Sequence, residues 1–388
     1  LAQGTSIPTF VGCLPSVIQN GLKKFGPADL QPGDIILAND PYSTGTHISD
    51  TTVYMPIFCD DELQGFAINM AHWADVGGKT PGGWCPDSID VFQEGMIFPY
   101  VKLYEAGEVN QALMDYIMAN NRFPDIVRGD LAAQIASCRT GIKRYVALCV
   151  RYGSEMVREA MVIVFDQSEK LVRHNISQMP KGEWSAENCL DHDGVITDQP
   201  RKIKVKVRIE DDQVIVDFTG TSETAAGPIN VPLPGTFACV ELAFRSIFVP
   251  FEPPNAGHSR ALKIIAPENT LTNPSPPAPC DSYGYAQYTI VDLVNECLSN
   301  AVPNRCPAGG YQLCGLYFHR GDPSYGEPFI YFDAFRGGGG ALPSDDGADA
   351  VIFWDGGDAP LIPIEVIEPR FPIRIERHEL HGAEYGPG

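Results

Sequence analysis

The chain has 388 residues, 44% of them hydrophobic and 20% charged, which is enough apolar mass for one large or two medium cores. Lys and Arg number 28 against 49 Asp and Glu, a net charge of −21 that repels a phosphate backbone and excludes nucleic acid as a partner. No run of about 18 apolar residues occurs, so no membrane span is expected.

The 38 Gly and 33 Pro imply many turns and long ordered loops. Residues 1–105 read as loop-rich with short strands. Residues 34–37 are a buried strand, and residues 52–58 and 65–71 form a hairpin around the turn Asp60-Asp61-Glu62. From 109 to 175, Leu113, Ile117, Ile126, Leu131, Ile135, Val146, Leu148, Met156 and Val162 recur at helical intervals. That spacing predicts two or three amphipathic helices broken at Pro124 and Gly153. Residues 181–270 turn to strands. Residues 202–209 alternate polar and apolar, and residues 214–218 return across a turn at Asp211-Asp212. Residues 286–301 predict a buried helix, and 305–388 alternate aromatic strands with Gly-rich loops. The fold class is α+β: mixed β-sheets with Gly/Pro-rich loops, a central helical segment and a β-rich C-terminal half. The expected division is a strand and loop region at 1–105 carrying a metal, a helical segment at 106–180 and a β-rich α+β domain at 181–388.

Two copies of H-x-x-D carry the chemistry, His47-Ile-Ser-Asp50 and His72-Trp-Ala-Asp75. One precedes the first hairpin strand and the other follows the second. Antiparallel pairing therefore brings two imidazoles and two carboxylates to one end of the hairpin. A single H-x-x-D is usually a hydrogen-bonded surface pair. Two flanking one hairpin form a ligand set for a divalent Zn, Mn or Fe with open positions left for substrate. Asp87, Asp90, Gln93 and Glu94 follow closely and are candidates for supporting the ligands or for general-base work.

Other motifs say less. Gly77-Gly78-Lys79-Thr80 lacks the earlier Gly of a phosphate loop, where Trp73 stands, and its Gly-Gly suits close backbone approach to a metal or substrate. Arg336 with Gly337–Gly340 suits a tight loop better than an anion cradle, given Asp345, Asp346 and Asp349 nearby. His378 and His381 sit in a charged tail and read as solvated. The eleven Cys have no C-x-x-C spacing, so they read as structural free thiols in a reducing cytoplasm. The start at Leu1, without Met or a signal pattern, reads as an internal piece of a longer polypeptide.

Several segments in order resemble the hydantoinase B/oxoprolinase family. They include residues 33–42, Gly45-Thr-His-Ile-Ser-Asp50, Ala71-His-Trp-Ala-Asp-Val-Gly-Gly78, residues 90–95, 101–105, 129–134, 217–220, 227–230, 253–257 and 363–366. That family comprises subunits of N-methylhydantoinases, 5-oxoprolinases, caprolactamase, and acetone and acetophenone carboxylases. The resemblance implies a cytoplasmic hetero-oligomer with an A-type, ATP-binding subunit that phosphorylates the oxygen of a small-molecule substrate. The B-type chain then holds one divalent metal and completes hydrolysis of a cyclic amide or, alternatively, carboxylation of a ketone. It implies His47, Asp50 and His72 as metal ligands, with Asp75 as a weaker ligand or a base. Asp75 and Glu94 are the candidate catalytic residues. Trp73 replaces a second His found in many members, which suits a more apolar substrate. Family members continue beyond both ends of this chain, and an acidic ligand is possible in the upstream segment.

Overall fold

In the computed structural model, the described residues are 7–311, 316–320, 324, 326, 328–333, 337–351, 354 and 362–379. Arg336, Cys314 and His381 lie outside them. The elements in chain order begin with α1 (Pro8–Lys24), β1 (Ile35–Ala38), α2 (Pro41–Thr44), β2 (Asp50–Cys59) and β3 (Glu62–His72). Next come β4 (Val101–Glu105), β5 (Glu108–Val109), α3 (Gln111–Ala119), α4 (Pro124–Tyr152) and α5 (Ser154–Ser177). The second half holds β6 (Gly182–Leu190), β7 (Arg201–Ile209), β8 (Val214–Asp217), α6 (Leu233–Phe248), α7 (Ala256–Ser259) and β9 (Leu262–Ile265). It closes with α8 (Gly284–Ser299), β10 (Leu316–Arg320), β11 (Phe329–Asp333) and α9 (Ile364–Arg370). The architecture is α+β, as expected.

The first sheet has the order β3-β2-β1-β4-β5 and is antiparallel throughout. The β2–β3 turn places Asp60 and Asp61 at φ of 53° and 60°, the left-handed pair a tight hairpin requires. This sheet is covered on both faces. Ile35, Leu37, Val53 and Met55 pack toward α3 and α4. Ile36, Ala38 and Tyr54 pack toward Phe10, Cys13 and Val17 of α1. Double coverage explains why β1 is a continuous apolar run rather than an alternating one.

The helical stretch breaks where expected. Pro124 opens α4, its missing N–H costing nothing in the first turn, and Gly153 ends it at φ 87°. The second sheet has the order β6-β7-β8-β9, with β8 and β9 parallel. Ile203, Val205, Val207 and Ile209 of β7 are buried inward, while the intervening Lys and Arg side chains point outward. That inner face packs on α6 and α8 through Phe244, Phe248, Ile290 and Val294.

Two expectations need correction. Residues 1–105 are not only loops and strands, because α1 is a 17-residue helix. Pro15 and two glycines, Gly12 and Gly21, masked it, yet Phe10, Cys13 and Val17 fall on one helical face. Likewise 181–270 contains α6, a 16-residue helix that opens Leu-Pro-Gly and is apolar nearly all round. It is packed between α1 and α8, and the Pro234-Gly235 pair in its first turn hid its start.

Candidate metal centre

The hairpin register places Asp50 directly opposite His72, at the open end of β2 and β3. His47 reaches the same point from a turn in which the Asp50 amide donates to its carbonyl. The turn is held by Asn39, whose side chain donates to the carbonyls of Ile48 and Met96. Gly45, at φ 96°, lets the chain pass α6, since a Cβ there would lie 2.7 Å from the Gly235 nitrogen.

Three ligand atoms converge: His47 Nε2, His72 Nδ1 and Asp50 Oδ1, each 3.1 Å from the other two. Two imidazoles and one carboxylate fit a divalent first-row metal by donor chemistry. Separations of that size match adjacent ligands around one ion, given bonds of about 2.1 Å. His47 and Asp50 are fully buried, whereas the His72 side chain is 25% exposed, so the open side of the cluster is the His72 side. Among the described residues, this is the one His/Cys/Asp/Glu group with converging ligand atoms.

The electrostatics are those of a buried, mutually stabilising set. Burial alone would lower the His47 imidazole. The Asp50 charge and the hydrogen bonds with Asp281 and Asp50 overcome it and raise it to about 10. Burial would raise Asp50, but His47 first and His72 second pull it far below the usual carboxylate range.

Asp281 and Tyr283 are site residues that the sequence reading missed. Asp281 Oδ1 lies 3.4 Å from His47 Nδ1, and the Tyr283 hydroxyl donates to Asp50 Oδ2 at 3.3 Å. They arrive 234 and 233 residues along the chain from their partners, so no local spacing reveals them. Asp130 was also missed, although it sits one turn before Gln134 in a segment that carried the family resemblance. It is partly buried, burial raises its carboxyl, and the His72 charge opposes that rise.

The two candidate catalytic carboxylates lie outside the cluster. Asp75 accepts from the amides of Gly77, Gly82 and Arg122, and its Oδ1 forms a 2.9 Å ion pair with the Arg122 guanidinium. Those contacts fix the loop from 76 to 85, which carries Trp84. Glu94 is fully buried and accepts from the Ser88 hydroxyl at 2.7 Å and from the amides of Cys280 and Asp281. None of these contacts is to His47, Asp50 or His72. Burial first, then the Asp281 charge, push the Glu94 carboxyl up to about 8. Asp87 pairs with Lys79 on the surface, and Asp90 caps the short turn at residues 91–93, with the Gln93 side chain donating to it.

Two sequence readings change. Trp73 does not line the site. It is fully buried beside Phe98, and its indole N–H donates to Gln134 at 2.8 Å. β3 ends at His72, whose ring turns into the cluster, and Trp73 just past it packs into the core. The aromatic wall is formed instead by Trp84, Tyr283 and Phe332, with Trp84 5.3 Å from the His47 ring centroid. Gly78 also serves packing rather than a ligand, since a Cβ there would lie 2.6 Å from the Glu94 carbonyl oxygen. The ten described Cys are free thiols, all buried except Cys189.

Fold and site together define an α+β protein with a buried two-histidine, one-carboxylate centre at the end of a hairpin. The chain belongs to the hydantoinase B/oxoprolinase family, which it matches over residues 1–388. It is similar to a protein of Pseudomonas sp. (strain NS671) assigned as the B-type component of a D-/L-hydantoinase, at 34% identity over all of this chain and 66% of the relative. Its fold matches the crystal structure of the ATP-dependent caprolactamase from Pseudomonas jessenii with a TM-score of 0.90 at 27% identity, covering 97% of this chain and 66% of that one. It also matches a nucleotide-free acetone carboxylase with a TM-score of 0.83 at 18% identity, covering 94% of this chain and 51% of that one. The chain therefore spans about half to two thirds of the length of these relatives. Among the described residues, no helix is long and apolar enough to cross a membrane.

Proposed function

We propose that this chain is the metal-bearing part of an ATP-dependent enzyme that opens a cyclic amide, a hydantoin, oxoproline or lactam. The observation that carries the reading is the convergence of His47 Nε2, His72 Nδ1 and Asp50 Oδ1 at 3.1 Å from one another. Whole-chain membership of the family and similarity to a hydantoinase component and to a caprolactamase support the substrate class. Those three side chains hold one divalent Zn, Mn or Fe. When bound, the metal supplies Lewis acidity toward a carbonyl or phosphorylated oxygen.

The protein's own residues do the rest. The exposed side of His72 admits substrate. Trp84 and Tyr283 close the space beside His47 and limit water. Asp75, through Arg122 and the amides of Gly77 and Gly82, keeps the Trp84 loop in place. Glu94 keeps the 280–281 backbone against the site.

ATP is used through a separate A-type subunit. The sequence has no phosphate loop, kinase signature or dinucleotide fingerprint. An unstrained amide needs its oxygen made into a leaving group before ring opening, and phosphorylation does this. The ketone carboxylase alternative rests on a shared fold at 18% identity and ranks second. The test is reconstitution of the full-length protein with its cognate ATP-binding subunit, assayed against hydantoins, lactams and ketones with bicarbonate. Ring opening should require both proteins and ATP. Substantial turnover by this protein alone without ATP would overturn the two-component reading, and ketone carboxylation without ring opening would replace it with the carboxylase.

A further inference from the structure

Each buried ligand at the centre has two polar ends, and each has one end taken. His47 directs Nε2 into the cluster and Nδ1 toward Asp281. Asp50 directs Oδ1 into the cluster and Oδ2 toward the Tyr283 hydroxyl. Both outer partners come from one stretch, Cys280-Asp-Ser-Tyr283, at the N-terminal edge of α8. That stretch belongs to the second sheet's helical layer, not to the hairpin. It is itself held at several points. Asp281 Oδ2 accepts from the Cys85 amide, the Ser282 amide donates to the Pro228 carbonyl at 3.0 Å, and Glu94 accepts from the amides of Cys280 and Asp281. Asp281 is 1% exposed, so its carboxylate is not a freely solvated bystander.

We propose that Asp281 and Tyr283 are positioning residues that select which atoms of His47 and Asp50 bind the metal, an inference that rests on the proposed metal reading. A carboxylate beside Nδ1 draws the ring proton to that nitrogen. The Nε2 lone pair is then aimed into the cluster, and the imidazole becomes a stronger donor. The Tyr283 hydroxyl occupies Oδ2 and so leaves Asp50 to bind through Oδ1 alone. The 280–283 stretch thus couples the second half of the chain to the geometry of ligands carried by the first.

The test uses the full-length protein, titrated with Zn2+ against a competing chelator and with Co2+ for its ligand-field spectrum. Asp281→Asn keeps an acceptor but loses the charge. It should bind Zn2+ about 10- to 100-fold more weakly, the range set by losing such an outer partner. Its Co2+ bands at saturation should also shift, which a purely structural role would not cause. Tyr283→Phe removes a single hydroxyl and should weaken binding by a smaller factor, with a Co2+ spectrum altered by two-oxygen ligation from Asp50. Cys189→Ser, at an exposed position on β6, should match the parent. If Asp281→Asn does not fold, Tyr283→Phe decides alone. Parent-like Zn2+ affinity and Co2+ spectra in the folded variants would overturn the positioning roles while leaving the metal reading intact. A parent protein that binds neither ion overturns both.

Discussion

The hairpin end and the 280–283 stretch meet at one centre, but they reach it in different ways. The hairpin brings its ligands by regular structure: β2 and β3 pair in register, and Asp50 falls opposite His72. The 280–283 stretch has no ladder to place it. It is held by Glu94, by the Cys85 amide and by the start of α8. Regular pairing fixes where Asp50 and His72 lie, a turn held by Asn39 brings His47 to them, and the 280–283 backbone, held by buried polar contacts, faces the outer atoms of His47 and Asp50. A centre built this way depends on both halves of the chain being folded together.

The largest effect expected on this comparison comes from the hairpin side. His47→Ala, Asp50→Ala and His72→Ala each remove one of the three proposed protein ligands. Each should weaken metal binding by on the order of a hundredfold or more. Metal analysis after gel filtration checks this, and full occupancy in all three variants contradicts the assignment.

The two tryptophans sharpen the contrast between framework and site. Trp73→Ala deletes a fully buried indole from the core and unpairs Gln134, which also donates to the Thr51 carbonyl. It should cost about 3–5 kcal/mol of stability. Trp84→Ala removes a partly buried ring from the aromatic wall. It should cost about 1 kcal/mol or less while raising KM for ring substrates. Denaturant melts paired with kinetics separate the two. Equal stability losses would mean that Trp84 is framework too.

A smaller effect should appear with pH at the brace. Glu94 is raised in the folded state, so the folded chain keeps a proton that the unfolded chain releases. Its stabilising contribution is fully present below the ordinary value of 4.5 and is lost as pH rises through about 8. Glu94→Gln cannot titrate. In chelator-treated protein, the parent should therefore lose stability relative to this variant between pH 5 and 8. Parallel melting profiles across that window would show that Glu94 does not carry the proton.

The smallest expected effect is at the thiols. Cys189 is exposed while the other nine described cysteines are buried, so it should react first with a thiol reagent in the native state. Cys189→Ser should remove that fast phase with little change in stability. A fast phase that persists in the variant would place a second reactive thiol at the surface.

Much of the hairpin side was legible from residue order. Alternating strands, an acidic turn and two H-x-x-D motifs predict that His47, Asp50, His72 and Asp75 meet; the first three do, and Asp75 turns away to Arg122 and the Gly77 and Gly82 amides. The helix breaks at Pro124 and Gly153 were legible for the same reason, because their backbone requirements are local. Three things were not. Helices α1 and α6 carry Pro15, Gly12 and Gly21, and Pro234 and Gly235, so intrinsic propensity argues against them although each has an apolar face. Residue order puts Trp73 beside His72 and so at the site, but β3 ends at His72 and Trp73 packs into the core behind it. Asp281 and Tyr283 lie more than two hundred residues from their partners, and only tertiary packing reveals them.

The central claim is that one ion sits where the two halves meet. The most direct measurement is anomalous scattering from crystals of the full-length protein grown with Mn2+ or Zn2+. The account predicts a single strong peak within about 2.3 Å of His47 Nε2, His72 Nδ1 and Asp50 Oδ1, with Asp281 on the far nitrogen of His47. A peak elsewhere, or none at this centre in a protein that binds the ion in solution, would contradict it.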